Sequence, residues 1–259
     1  MATILFDDII FGPIHSRRLG VSLGINLLPI NGKVCSFDCL YCECGLNKDH
    51  KGGQLPDRKQ VREALALKLK QMKQDGISPD VITFAGNGEP TLHPVFSQII
   101  DDTIILRNEW FPDADICVLS NATQLHNPVV INALKKVDQP ILKLDSVFND
   151  TVRILDRPVS SSFSVEKLID RLKSFNGKLI IQTLFTRGAY LGENFDNTTD
   201  HEVLAWIEQV RLIAPRSVMI YTIDRETPVK DIFRIPVREL KRIADLLHNS
   251  TGIPVSIAG

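Results

Sequence analysis

The sequence predicts an α/β fold whose parallel strands curl into a partial, TIM-like (β/α)6 barrel. Two observations carry this. The first is a repeated alternation along the chain: a short β-rich run, a polar or glycine-bearing loop, then a segment with apolar residues at helical spacing. The second is that several β-type runs are apolar throughout, as in Leu179-Ile180-Ile181. Strands covered by helices on both faces read that way. A length of 259 residues suits one α/β barrel domain spanning 1–259.

The β-type runs are residues 21–28, 81–85, 116–119, 140–144, 178–185 and 217–223. Helices read between them. Asp57 and Gln60 form a capping box ahead of the stripe Val61, Leu65, Leu69 and Met72, and Gly76 stops that helix. Ser164 caps a helix carrying Val165, Leu168, Ile169 and Leu172. Thr199 and Glu202 make another capping box, before Val203, Trp206, Ile207 and Val210. Pro236 suits a first helical position, before Val237, Leu240, Ile243 and Leu247. Right-handed crossovers wind six such units into a parallel sheet. Six falls short of the eight of a closed barrel, so the barrel is expected to stay open. Residues 255–257 can add a last short strand. The polar stretches 47–55 and 188–198 read as the least well packed.

A net charge of −1 supplies no global field toward nucleic acid or an anionic membrane. No apolar run has the length of a membrane span, and the first residues lack the basic and apolar regions of a secretory signal. The expectation is a cytoplasmic protein with no membrane partner.

Four of the five cysteines fall between positions 35 and 44. Clustering of this kind, without a signal sequence, points to metal binding and not to disulfides. Cys35-Ser36-Phe37-Asp38-Cys39-Leu40-Tyr41-Cys42 spaces three thiols as C-x3-C-x2-C. Three thiolates on one loop can ligate three irons of a cubane cluster and leave the fourth iron open. The competing reading is tetrahedral zinc, with Cys44 as the fourth ligand. Cys117 reads as a buried core thiol.

The three-cysteine spacing with an aromatic before the last cysteine resembles the signature of the radical S-adenosylmethionine superfamily. Phe11-Gly12-Pro13-Ile14-His15-Ser16-Arg17-Arg18-Leu19-Gly20 and Tyr221-Thr222-Ile223-Asp224-Arg225-Glu226-Thr227-Pro228 resemble one subgroup, the Fe–S oxidoreductases related to wybutosine tRNA-synthesis enzymes. The resemblance implies a [4Fe–4S] cluster on Cys35, Cys39 and Cys42, with S-adenosylmethionine chelated at the open iron. It implies reductive cleavage to a 5′-deoxyadenosyl radical that takes hydrogen from a substrate, with a flavodoxin- or ferredoxin-type electron donor. Wybutosine-type relatives carry further cysteines before the motif. Residues 1–34 hold none, so a single cluster is expected. The sequence itself does not name the substrate; the resemblance points to RNA, with tRNA foremost, a peptide, protein or small molecule is the alternative, and a non-catalytic zinc protein is the alternative of another class.

The unusual polar residues fall where barrels place their chemistry, at the C-terminal ends of strands. Gly86-Asn87-Gly88-Glu89 follows the second strand, and Glu89 offers a carboxylate to the ammonium of S-adenosylmethionine. Ser120 and Asn121 follow the third, as ribose contacts or as a helix N-cap. Lys143, Asp145 and Ser146 end the fourth, as contacts to the cofactor's carboxylate and ribose or as a structural Lys–Asp pair. Gln182 on the fifth and Tyr41 beside Cys42 complete the expected cofactor site. Thr222, Asp224 and Arg225 are expected on the substrate side. His93, His15, Arg17 and Arg18 are candidates for the cavity mouth, with capping of a loop as the other reading of His93.

Overall fold

The computed structural model describes residues 4–16, 19–47 and 53–258. Seven strands run parallel: β2 (Gly20–Ile25), β3 (Val81–Phe84), β4 (Asp115–Ser120), β5 (Gln139–Lys143), β6 (Ile180–Leu184), β9 (Ser217–Tyr221) and β11 (Val255–Ala258). They pair in that spatial order, which is the order of a singly wound barrel. An antiparallel strand, β1 (Ile10–Ser16), closes the β2 edge. Ser22 of β2 and Ala258 of β11, near opposite edges, line one cavity, so the sheet curls around it without closing.

Six helical crossovers join the parallel strands. They are α1 (Arg58–Gln74), α2 (Phe96–Trp110), α3 (Pro128–Leu134), the pair α4 (Asn149–Leu155) and α5 (Val165–Lys173), α6 (Asp200–Ile213) and α7 (Val237–Thr251). The start signals read from sequence operate. Asp57 and Gln60 form a reciprocal capping box, Ser164 accepts from the Lys167 amide, and Thr199 accepts from the Glu202 amide. Pro236 stands one position earlier than expected, as the N-cap of α7. Strand residues alternate between the two layers. Leu23 and Ile25 are fully buried against Val61 and Leu65 of α1, while Ser22 and Gly24 face the cavity.

Two features differ from the sequence expectation. Residues 10–16 form a strand although Gly12-Pro13 interrupts the run. The register shifts between Phe11 and Ile14, so the proline sits at a bulge on an edge strand, where its missing N–H costs no ladder bond. Residues 188–198 are also better ordered than their polarity suggested. β7 (Thr186–Tyr190) and β8 (Glu193–Asp196) form a hairpin, and β10 (Ile232–Arg234) extends it to three strands. Leu191 and Gly192 both take positive φ at the turn, as a two-residue hairpin of this hand demands. Much of the other stretch, 47–55, lies outside the described residues. The small sheet buttresses the cysteine loop: Phe195 and Ile232 pack with Leu40 and Leu155. Among the described residues, no helix is long and apolar enough to cross a membrane.

Candidate active site at the strand ends

The loop after β2 carries the clustered cysteines and is held from two sides. On one, the Val34 amide donates to the Asn87 carbonyl and the Glu89 amide to the Val34 carbonyl, both at 3.0 Å. On the other, the Leu40 amide donates to the Leu155 carbonyl and the Asp38 amide to the Asp156 carbonyl, again at 3.0 Å. Gly88 makes the first anchor possible. Its φ is +134°, and a Cβ there would stand 1.9 Å from the Val34 carbonyl oxygen. The missing side chain of Gly88 therefore admits the cysteine loop.

Cys35, Cys39 and Cys42 are partly exposed free thiols, close enough to feel one another's charge. Burial, with Glu89 adding to it, pushes Cys35 up to about 12. Burial also raises Cys39 well above the ordinary thiol value. Cys42 is held down to about 6, first by a hydrogen bond from Cys44 and then, against burial, by the Lys33 ammonium. The Cys44 thiol also reaches the Gly86 carbonyl at 3.4 Å.

Lys33 was not singled out in the sequence. Its side chain is 1% exposed, with Nζ 2.6 Å from the Gly45 carbonyl and 3.7 Å from Asp38. All three signature cysteines and Asp38 outweigh burial and raise its pKa. It is a buried amine under the cysteine loop whose charged form these neighbours favour.

The other flank of the loop is a charged network. Lys143 pairs with Asp145 and, at 2.9 Å, with Asp156. Its Nζ lies 4.7 Å from the centre of the Tyr41 ring and also contacts the Tyr41 hydroxyl, which donates to Asp145 at 2.5 Å. Burial opposes the Lys143 charge, but Asp145, Asp156 and Cys39 outweigh it and hold its pKa well above the lysine value. Burial pushes Asp156 up to about 7, against the pull of Lys143. The structural Lys–Asp pair is therefore realised, with Asp156 as a third member. Asp145 also accepts from the Leu184 amide at 2.9 Å.

Glu89 is a hub beneath the loop. Oε1 accepts from the Thr91 amide and hydroxyl and, at 2.8 Å, from Ser120; Oε2 accepts from the Asn121 amide at 2.6 Å. Burial still raises its pKa. Ser120 and Asn121 do not cap a helix, since α3 begins after Asn127. Asn121 instead donates to Ser36 at 3.0 Å and points at the Cys35 sulfur at 3.5 Å.

The strand ends enclose a cavity of about 460 Å³, a volume that suits a cofactor and a small reacting group. Tyr41, Cys42 and Gly86 form one wall; Gln182, Thr222, Asp224 and Arg225 form another. Gln182 offers an amide with no side-chain partner among the described residues. Thr222 accepts from the Ile235 amide at 2.8 Å, and Arg225 pairs with Glu43 at 2.6 Å across the mouth. His15 lies on the β1 wall. Three candidates turn elsewhere. Asn87 is fully buried and binds the Phe6 backbone and the Pro29 carbonyl, each contact at 2.8 Å, tying down the segment before β1. Ser146 donates to Glu202 of α6 at 2.7 Å. His93 is buried between the Pro56 carbonyl and the Val95 amide, so its loop-holding reading is the one seen. Arg17 and Arg18 lie outside the described residues.

No family model matches the chain. Among curated proteins it is similar to a protein named GTPase Obg of Brachyspira hyodysenteriae, 29% identical over 252 residues, covering 96% of this chain and 35% of that one. It is 28% identical to a UPF0026 protein of Synechocystis over 96% of both chains. It is 26% identical to the S-adenosyl-L-methionine-dependent tRNA 4-demethylwyosine synthase of rice, over 46% of this chain and 17% of that one. The chain thus spans about a third of the length of the first of these relatives. Among solved structures, SuiB of Streptococcus suis bound to S-adenosylmethionine matches with a TM-score of 0.65 at 15% identity, over 90% of this chain and 50% of that one. TYW1 with a lysine–pyruvate adduct matches at 0.63 and 17%, over 89% and 74%. A radical SAM methyltransferase of Sphaerobacter thermophilus matches at 0.66 and 14%, over 92% and 65%. The structural likeness establishes the fold; the cysteine spacing and the sequence relatives agree with it. The chain has the partial-barrel fold of these solved structures, a radical S-adenosylmethionine methyltransferase among them.

The residues present fit an iron–sulfur cluster and S-adenosylmethionine, the groups that the sequence resemblance implies. Cys35, Cys39 and Cys42 are free thiols on one short loop, the ligand type that iron–sulfur clusters take. Ligation removes the thiol protons that burial retains, and Lys33 sits where it offsets the resulting charge. For S-adenosylmethionine, Glu89 offers a buried negative charge at the same strand ends, and an arriving cation would favour its ionised form.

Sequence reading missed Lys33, Asp156 and Glu43. Lys33 stands in Gly32-Lys33-Val34 with no periodic signal, and Asp156 lies over a hundred positions from the motif it serves. Only the folded loop brings them together.

Proposed function

We propose that the chain is a radical S-adenosylmethionine enzyme in which Cys35, Cys39 and Cys42 hold a [4Fe–4S] cluster and the barrel cavity receives S-adenosylmethionine and the reacting part of a substrate. The observation that carries this is the convergence of three free thiols, the Glu89 hub and the cavity at the C-terminal end of one curled parallel sheet. When bound, the cluster and S-adenosylmethionine supply a 5′-deoxyadenosyl radical by reductive cleavage. This chain's residues orient and enclose. Val34 on Gly88 and Leu40 on Leu155 fix the cysteine loop; the Lys143–Asp145–Asp156 network fixes Tyr41 beside Cys42. Glu89 holds the ammonium, and Gln182 supplies a hydrogen-bonding edge to the adenosine. Glu43 and Arg225 bracket the mouth and keep water from the radical.

The substrate class we favour is RNA, with tRNA foremost, supported by the tRNA-modifying rice relative. The reductant is a flavodoxin- or ferredoxin-type protein. The test is anaerobic reconstitution followed by reduction with dithionite and chromatographic detection of 5′-deoxyadenosine, with and without cell RNA. Cleavage stimulated by RNA supports both parts of the reading. Cleavage stimulated by a peptide fraction and not by RNA replaces the substrate class, and absence of 5′-deoxyadenosine under every condition overturns the enzymatic reading.

A further inference from the structure

The cysteine loop has two faces. Cys42 and Cys44 line the barrel cavity. Ser36, next to Cys35, lines a separate groove of about 370 Å³ on another face of the loop. We propose that this groove docks the acidic one-electron carrier protein that reduces the cluster; the inference rests on the cluster reading above.

Three observations point there. The groove wall connects to the proposed cluster ligand through contacts of ordinary length: the Thr123 and Ser36 hydroxyls meet at 2.6 Å, Asn121 donates to Ser36 at 3.0 Å, and the same Asn121 amide reaches the Cys35 sulfur at 3.5 Å. An electron arriving at the groove thus meets bonded atoms up to Cys35 without crossing the substrate cavity. The charge is also one-sided. Lys167 and Arg171 stand one turn apart on α5, and no carboxylate lines the groove. Neither cation pairs with an acid among the described residues. The acids nearby on α5 are committed: Glu166 to Ser164 and Asn149, and Asp170 to Lys173. The remaining lining is hydroxyl-rich, with His126 at the rim and Phe163 in the floor, a polar surface suited to a transient complex. Complementary charge at such a site acts chiefly on the rate of encounter and falls with salt. The transfer itself moves one electron from the carrier's reduced flavin or iron–sulfur centre to the cluster, and no bond forms or breaks.

The test compares the wild type with K167E/R171E, and with R238E/K241E on the distant α7 as a control for charge alone. Each reconstituted protein is assayed for S-adenosylmethionine cleavage with reduced flavodoxin, with reduced ferredoxin, and with dithionite. Binding of oxidised flavodoxin is measured separately by calorimetry, which reads docking whether or not turnover occurs. The expected result is a flavodoxin- or ferredoxin-dependent rate at least tenfold lower in K167E/R171E, weaker flavodoxin binding, an unchanged dithionite rate and an unchanged control. Unchanged carrier-dependent rates and binding overturn the proposal. So does an equal loss in the control, or loss of RNA binding with electron delivery intact, which assigns the groove to RNA. If K167E/R171E loses the dithionite rate as well, the neutral pair K167Q/R171Q decides: a carrier-dependent rate that stays at the wild-type value overturns the docking site, and a selective fall supports it. No cleavage by the wild type with dithionite instead removes the enzymatic reading on which the inference stands.

Discussion

Replacing Lys33 by methionine should make the cluster harder to reduce. The Lys33 side chain is 1% exposed and its charge lowers the Cys42 pKa, so its field reaches the cysteine loop little screened by water. Two unit charges 4 Å apart interact by about 4 kcal/mol at an effective dielectric near 20. The added electron spreads over the cluster, and Asp38, 3.7 Å from the ammonium, offsets part of its field. Half the pair value, about 2 kcal/mol or ~90 mV for one electron, is the expected fall in reduction potential. Removing the ammonium also strips the Gly45 carbonyl of its donor, at a cost of about 1–3 kcal/mol in stability. Lys33→Arg keeps the charge and serves as the control for packing. The assay is a redox titration of the reconstituted proteins followed by electron paramagnetic resonance. An unchanged or higher potential in Lys33→Met, with four irons still bound, refutes the electrostatic role.

Three further outcomes follow from the same geometry. Gly88→Ala forces a Cβ onto the Val34 carbonyl and a side chain onto a φ of +134°; the strain alone costs on the order of 1–3 kcal/mol, and the thermal midpoint and the iron content should fall together, whereas a wild-type iron content would show that this anchor is dispensable. Cys44→Ala should retain the full iron content while Cys39→Ala loses most of it, and equal losses in the two would make Cys44 a ligand. The raised pKa of Asp156 gives the apoprotein a pH dependence with a definite sign: between about pH 4, where an unfolded aspartate ionises, and about pH 7, where this one does, the folded state holds the extra proton. Stability contributed by this group is therefore full below the unfolded value and is lost as pH rises through that window; denaturant titrations should show the fall, Asp156→Asn should flatten it, and an equal slope in both proteins would remove Asp156 as its cause.

The parallel sheet was legible because its strands are buried on both faces and its helices begin with strong caps. Asp57, Ser164 and Thr199 all act as their side chains suggest. The small antiparallel sheet was not legible, since β10 has three residues and the β7–β8 turn uses Leu191 at positive φ, a residue with no turn preference. At the site, spacing marked the cysteine cluster, the motif's aromatic position marked Tyr41, and strand-end position marked Glu89 and Gln182. Spacing carries no information on side-chain direction. Asn87, Ser146 and His93 sit beside the same loops, yet each satisfies a neighbouring backbone or helix. Lys33 and Asp156 depend on contacts between distant segments, which no local pattern records.

The central claim is that three thiolates hold a four-iron cluster with one iron open to S-adenosylmethionine. Its most direct measurement is the electron paramagnetic resonance spectrum of the anaerobically reconstituted, reduced protein, recorded with and without S-adenosylmethionine and paired with metal analysis. The account predicts about four irons per chain, as the three-thiolate cubane implies, and a spectrum that changes when S-adenosylmethionine is added. A colourless protein holding one zinc, or a cluster spectrum that S-adenosylmethionine leaves untouched, would contradict it.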